Sequence, residues 1–376
     1  MNKFKFLVVL FFPFFLYGCL EPPPAKDVYK IAVVAPLTGP YSALGHAIVN
    51  GAELAVTEIN EKGGVDKKEV VLIKEDDGGL VGEGAFFAYR LTRTEMILGV
   101  IGHLNSDISI PASEFYARAK VPQISPGTTS PYFTEREKVR GYVFRTIGRD
   151  DQQGKLVADY VFKNGYKRVA ILYNDRAYGQ SLAGEFAKAV RTGELPNKPE
   201  IVFYSMIETG NTDYGAFLSQ LSSYKPDVVF LAGEYDDAGN LIKDFPKYGL
   251  GMTQFIGGDG IDSNEFIKIA GPNSERTVVV TTSPILDADF TDRYERLYNE
   301  KPSGYVASSY DAANILISAI KNVKEKDPGK IAEVISATKD FKGVTGLISF
   351  DKKGDLTRPG FLLSKVVDGK FVIVEN

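Results

Sequence analysis

The stretch GHLNSDISIPAS, residues 102–113, sets Asn105 and Ser106 between a short β-branched run, MILGVIG, and a segment in which Ile108, Ile110, Phe115 and Tyr116 recur near helical spacing. Ser106 is therefore expected where a helix begins, the position at which a serine caps free backbone N–H groups. The same groups, with the positive end of the helix dipole, can hold a carboxylate or a phosphate. A plain cap and an anion site both remain open on this stretch alone.

Residues that could do bond-making chemistry are scarce. His46 and His103 are the only histidines, and neither has a second His or Cys close enough in sequence for a metal site; His103, beside a strand end, reads as a hydrogen-bonded structural residue. YGQSLAG places its last glycine one residue too far from Ser181 for a nucleophile elbow. GGLVGEGAFF lacks both the Gly-Lys-Ser/Thr of a phosphate loop and the third glycine of a dinucleotide fingerprint, and is expected to be a loop leading into a helix. EDDGG lacks the spacing and final Glu of a calcium loop. The expectation is a protein that is not an enzyme and uses no cofactor and no metal.

The elements that must carry Ser106 alternate along the chain. Strand-like runs are YKIAVVAP, EVVLIKED, ILGVIGH, VPQISP, YVFRTIG, RVAILYN, EIVFYSM, DVVFLAG and QFIGGD. Amphipathic segments at 42–62, 83–94, 151–164, 181–191 and 214–224 lie between them. This is the βαβ order of parallel sheets covered by helices on both faces. A further helix, SSYDAANILISAIKNV, is followed by a strand-like GVTGLISFD and a hairpin, FLLSKVVDGKFVIVE, turned at VDGK. The fold expected is α/β, two doubly wound parallel-sheet lobes joined by a three-crossing hinge. Lobe one takes residues 27–148 plus 283–354, and lobe two takes 149–282 plus 355–376. Ligands of such sheets bind beyond the carboxyl ends of the strands. Here those ends read APLTGPYSALG, GHLNSD, ISPGTTSP, YNDRAYG, AGEYDD and GGDGID, polar turns that would all face one cleft.

The beginning of the chain, MNKFKFLVVLFFPFFLYGC, has Lys3 and Lys5 before an apolar core interrupted by Pro13, which is the pattern of a signal peptide over residues 1–18. The apolar run is shorter than the roughly 20 residues a spanning helix requires. Cys19 is the single cysteine, so no intrachain disulfide can form and no thiol is left for catalysis. LYGC resembles the bacterial lipobox, which implies a lipid on Cys19; the Pro-rich residues 19–28 would then hold the protein off the membrane. The formal charge of −4, more negative by two once Lys3 and Lys5 are removed, leaves no basic face for nucleic acid.

From GHLNSDISIPAS followed by VPQISPGTTSP, the sequence is similar to the periplasmic branched-chain amino acid binding proteins of ABC transporters, a subgroup of the type I periplasmic binding fold. APLTGPYSALG with NGAELAVTEINEKGGV, YNDRAYGQSLA, GGDG and FDKKGDL extend the resemblance over nearly the whole mature chain. The resemblance implies that Ser106 and Thr129, with the backbone of Gly127 and Thr129, receive a ligand α-carboxylate, with Thr128 between them. It implies Asp259 as the partner of the α-ammonium, and Tyr178 and Tyr305 as aromatics around the side chain. Taken without the family, a zwitterion in a desolvated cleft needs hydroxyl donors at one end and an acid at the other; Asp259 or Glu234 would serve as that acid.

Three positions depart from the family pattern. Leu44 stands at a position often aromatic, with Tyr41 close by; Asn105 replaces a cysteine and Glu234 a tyrosine. Glu234 would then share the ammonium, and Asn105 would face a polar side chain, so an aliphatic, polar or basic amino acid, an amide or a small carboxylate all stay open. The function expected is a lipid-anchored, extracytoplasmic, monomeric solute-binding lipoprotein that hands an amino acid to an ABC permease. The rival is a sensory ligand-binding module for an amide or small carboxylate, signalling to a partner protein.

Overall fold

The computed structural model describes residues 27–193, 198–282, 285, 287–358 and 360–374. The expected signal peptide, Cys19 and the linker up to residue 26 lie outside them. Among the described residues no helix is long and apolar enough to cross a membrane.

In chain order the first half gives β1 (Tyr29–Ala35), α1 (Ser42–Glu61), β2 (Val70–Asp76), α2 (Val81–Thr94), β3 (Val100–Gly102), α3 (Ser106–Arg118), β4 (Gln123–Ser125), α4 (Tyr132–Glu135) and β5 (Val143–Arg145). The strands form a parallel five-stranded sheet in the order β2-β1-β3-β4-β5. Ile31 to Ala35 of β1 are fully buried, as expected of a central strand covered on both faces.

The chain then passes to a second sheet through α5 (Asp150–Lys163), β6 (Arg168–Asn174), α6 (Ala177–Thr192), β7 (Glu200–Ile207), α7 (Gly215–Ser223), β8 (Val228–Ala232), α8 (Tyr235–Ile242), β9 (Gln254–Gly257), α9 (Asn264–Ala270) and β10 (Val278–Thr281). It returns to the first sheet with α10 (Ala288–Tyr298), α11 (Gly304–Asn322), α12 (Pro328–Ser336) and the hairpin β11 (Phe341–Gly343) and β12 (Gly346–Ile348). It ends on the second sheet with β13 (Leu362–Val367) and β14 (Lys370–Ile373), giving the order β14-β13-β10-β9-β8-β6-β7. β13 and β14 run antiparallel to their neighbours, so the second sheet is mixed at that edge. The DGK turn of this hairpin puts Asp368 and Gly369 at positive φ, the geometry of a tight two-residue loop.

α11 is buried almost all round because it is wedged between α1 and the first sheet. The Ser309 hydroxyl donates to the Ile48 carbonyl at 2.6 Å, Asn50 donates to the Tyr294 hydroxyl at 3.2 Å, and Arg293 pairs with Glu58 at 2.8 Å. Two readings of local sequence are corrected. GVTGLISFD is not one strand: Gly343 ends β11, Val344 and Thr345 make the turn, and Gly346–Ile348 is β12, paired back on β11. Val278–Thr281 is a further strand, passed over in the sequence reading although its four residues, VVVT, are all β-branched.

One crossing region is tied by charge. Arg145, fully buried at the end of β5, pairs through Nε with Asp355 at 2.7 Å, while Arg149 meets the other oxygen of Asp355 at 2.7 Å. The Thr134 hydroxyl also donates to Asp355, at 2.8 Å. These partners hold the Asp355 carboxyl below the usual range although its burial opposes them. Gly354 is required beside it: its φ is 95°, and a Cβ there would lie 2.1 Å from the Val143 carbonyl. That contact gives the FDKKGDL motif a structural meaning.

Candidate functional site

Between the sheets lies a narrow cavity of about 20 Å³, room for about one water with the lobes as they stand. From the first lobe it is lined by Leu44 on α1, Leu104 and Asn105 after β3, Ser106 at the start of α3, Gly127 after β4 and Tyr305 at the start of α11. From the second come Tyr178 on α6, Glu234 after β8, and Asp259 and Gly260 after β9. Most of these stand at the carboxyl ends of strands, where a doubly wound sheet leaves its crevice. Sequence reasoning singled out eight of these residues and missed Leu104 and Gly260, which are indistinguishable in sequence from ordinary core and turn residues.

Ser106 is the first residue inside α3, and Asn105 holds the cap position without a side-chain cap bond. Of the two roles left open for Ser106, the plain cap therefore falls away, and the residue lines the cavity at the start of the helix. Thr128 is corrected. It is absent from the cavity wall, since its hydroxyl sits 2.8 Å from that of Ser125 and 2.5 Å from that of Ser109, inside the lobe. Thr129 is likewise absent from the cavity wall; it is fully buried, with its hydroxyl near the Asp150 carboxyl. His103 is spent in the core, 2.7 Å from Asp77 and 3.2 Å from the Tyr116 hydroxyl, as a structural histidine would be.

Asp259 is the best-held acid in the cavity. Its Oδ1 accepts from Gln153 at 2.8 Å and from the Tyr178 hydroxyl at 2.8 Å, and its Oδ2 accepts from the Tyr305 hydroxyl at 2.9 Å. Burial raises its pKa, and the three donors pull against that rise. The glycines of GGDG make the approach possible, because a Cβ on Gly258 would stand 2.4 Å from the Tyr178 hydroxyl. The partner Gln153, in DDQQG, carried no signal in sequence, since glutamine on a helix face is ordinarily solvated.

Glu234 is also buried and takes a short hydrogen bond from the Asn174 side-chain amide. Burial first, then the neighbouring Asp237 charge, pushes its carboxyl up to about 8, with Arg176 opposing. Asp150, at the start of α5, is fully buried with both oxygens lacking hydrogen-bond partners; burial carries it to about 7 although the Ser181 and Thr129 hydroxyls nearby draw it down. Among the described residues no cluster of three or more His, Cys, Asp or Glu could hold a metal ion.

Two α/β lobes joined by repeated crossings, with a small polar cavity between their strand ends, make up the architecture of a periplasmic binding protein. Residues 28–370 match the periplasmic binding protein family, and the chain belongs to its branched-chain amino acid binding group. It is 34% identical over 354 residues to Leu/Ile/Val-binding protein homolog 1 of Brucella suis, covering 92% of this chain and 93% of that one. It is 36% identical over 349 residues to homolog 2 of Brucella abortus, covering 91% and 92%. Among solved structures, the leucine-binding protein LivK of Thermotoga maritima superposes with a TM-score of 0.85 at 29% identity, over 93% of this chain and 98% of that one. LivJ of Streptococcus pneumoniae, in complex with isoleucine, gives 0.84 at 29% identity, over 93% and 99%. A benzoate-bound solute-binding protein of R. palustris, 22% identical over 92% of this chain and 95% of that one, with a TM-score of 0.82, shares the fold. The family and fold are those of extracytoplasmic substrate-binding proteins.

Proposed function

We propose that this chain captures a free amino acid between its lobes and delivers it to an ABC permease, working as a monomer tethered outside the cytoplasm by a lipid on Cys19. The lobes of this reading are residues 27–148 plus 283–354 and residues 149–282 plus 355–376. The observation that carries it is the polarity of the cavity: Ser106 and the Gly127 backbone on one wall, Asp259 and Glu234 on the other. A zwitterion bridging these walls gives its carboxylate to the hydroxyls, amides and helix start of lobe one, with Thr129 close behind, and its ammonium to Asp259. Because both halves contribute, bound ligand favours the closed arrangement by its contacts alone. The Leu/Ile/Val-binding names of the relatives support an amino acid as the ligand.

Calorimetric titration of the purified chain with the twenty amino acids tests the reading. Binding of at least one is expected, and no heat from any would overturn it. Cys19→Ser is expected to move the protein from the membrane to the soluble fraction.

A further inference from the structure

The cavity holds more acceptors than an aliphatic amino acid can use. Asp259 already receives three neutral donors, two on Oδ1 and one on Oδ2. That leaves acceptor capacity on Oδ2 suited to a single ammonium N–H. Glu234 is a second, separate acid. It stands at the residue before α8, and the charges that act on it most strongly are Asp237, Arg176 and Asp107. In the same lining, from the other lobe, Asn105 has a side-chain carbonyl oxygen that is buried and has no hydrogen-bond partner. None of the ten lining residues is a lysine, arginine or histidine.

A leucine-like side chain in this space would leave the Glu234 carboxyl with one hydrogen bond, from Asn174, and the Arg176 charge, and the Asn105 oxygen with nothing, both buried, which is a costly arrangement for polar groups. Resting on the amino-acid reading above, we propose that the ligand's side chain ends in a hydrogen-bond-donating nitrogen, received by Glu234 and the Asn105 carbonyl, while Leu44 and Leu104 cover its aliphatic stem. An amide, an amine and a guanidinium share this chemistry. Glu234 and Asn105 are then the specificity-determining pair. A site built around buried hydrogen-bonding groups rejects an analogue that lacks the matching group far more strongly than an apolar pocket rejects a methylene.

The experiment is calorimetry on the full mature chain with arginine, lysine, glutamine and asparagine against leucine, isoleucine and valine, repeated on Glu234→Gln and Glu234→Leu, with thermal unfolding of each ligand-free variant as the control for folding. At least one nitrogen-bearing amino acid is expected to bind about tenfold or more tighter than any of the three aliphatic ones. Glu234→Leu should shrink that preference by a similar factor. Arginine or lysine as the preferred ligand, with Glu234→Gln also losing the preference, identifies a cationic side chain; glutamine or asparagine, with Glu234→Gln largely tolerated, identifies an amide. Tightest binding of leucine, isoleucine or valine overturns the inference and leaves the amino-acid reading intact. So does a preference unmoved in both variants, whereas silence towards every amino acid overturns both.

Discussion

Arg176, at the cap of α6, meets Asp107 of α3 at 2.9 Å across the cleft. The same guanidinium donates to the Gly79 carbonyl at 2.9 Å and lies 4.9 Å from the centroid of the Tyr41 ring. All three partners belong to the opposite lobe, so these contacts exist only when the lobes are together. Arg176→Ala and Asp107→Ala should each weaken amino acid binding by on the order of 1 kcal/mol, between the values for exposed and fully desolvated pairs. In a double-mutant cycle read by calorimetry the two losses should overlap, and simple additivity would dismiss the pair as a closing latch.

Asp259→Ala removes the acid on which three donors converge. Amino acid affinity should fall by about 2 to 5 kcal/mol, the usual cost of stranding one member of a buried charged pair. Tyr178→Phe, which deletes one hydroxyl, should cost about 1 kcal/mol. Unchanged affinity in Asp259→Ala would take the residue out of the site.

Asp355→Ala strands Arg145, a fully buried guanidinium with its ion partner gone. Denaturant unfolding of the ligand-free protein should show a loss of about 3–5 kcal/mol, the cost of an uncompensated buried charge. The reciprocal replacement Arg145→Met together with Asp355→Leu should recover much of it, since removing both charges leaves none stranded.

The ligand-free protein should lose stability as pH rises from about 5 towards 8. Glu234 ionises at about 8 when folded and near the ordinary glutamate value of about 4.3 when unfolded, so between these the folded state holds the extra proton. Its stabilisation is complete below the unfolded value and is lost as pH climbs through the folded one. The groups around it are Asp237, Arg176, Asp107, Asn174 and Tyr41, of which Asp237, itself raised to about 6, titrates in the same window and in the same direction. Melting temperature against pH should therefore fall less steeply in Glu234→Gln than in the parent, by a few degrees over the window. Parallel curves would assign the slope to other groups.

Much of the scaffold was legible because its signals are repeated. Eleven of the twelve strands of the two sheets were legible, nine as apolar runs and two as the closing hairpin, and α1 and α5 as apolar stripes; Val278–Thr281 was passed over although it is β-branched throughout. The cavity wall was legible where polar residues crowd strand ends, at Asn105, Ser106, Glu234 and Asp259. Thr128 shows the limit of that reasoning. Sequence places a hydroxyl near a cleft but does not orient it, and the inward bonds of Thr128 to Ser125 and Ser109 depend on the packing of β4 against α3. Gln153 and Arg176 reach the site from helix positions whose spacing says only that they are exposed or half-exposed.

The bond from Ser309 to Ile48 spans 261 residues of chain. α1, the first of the described helices, thus has its apolar side covered only when α11 arrives, after most of the polypeptide has emerged. Contacts of such separation slow folding. A chain so arranged leaves one flank of its first sheet open until α11 docks.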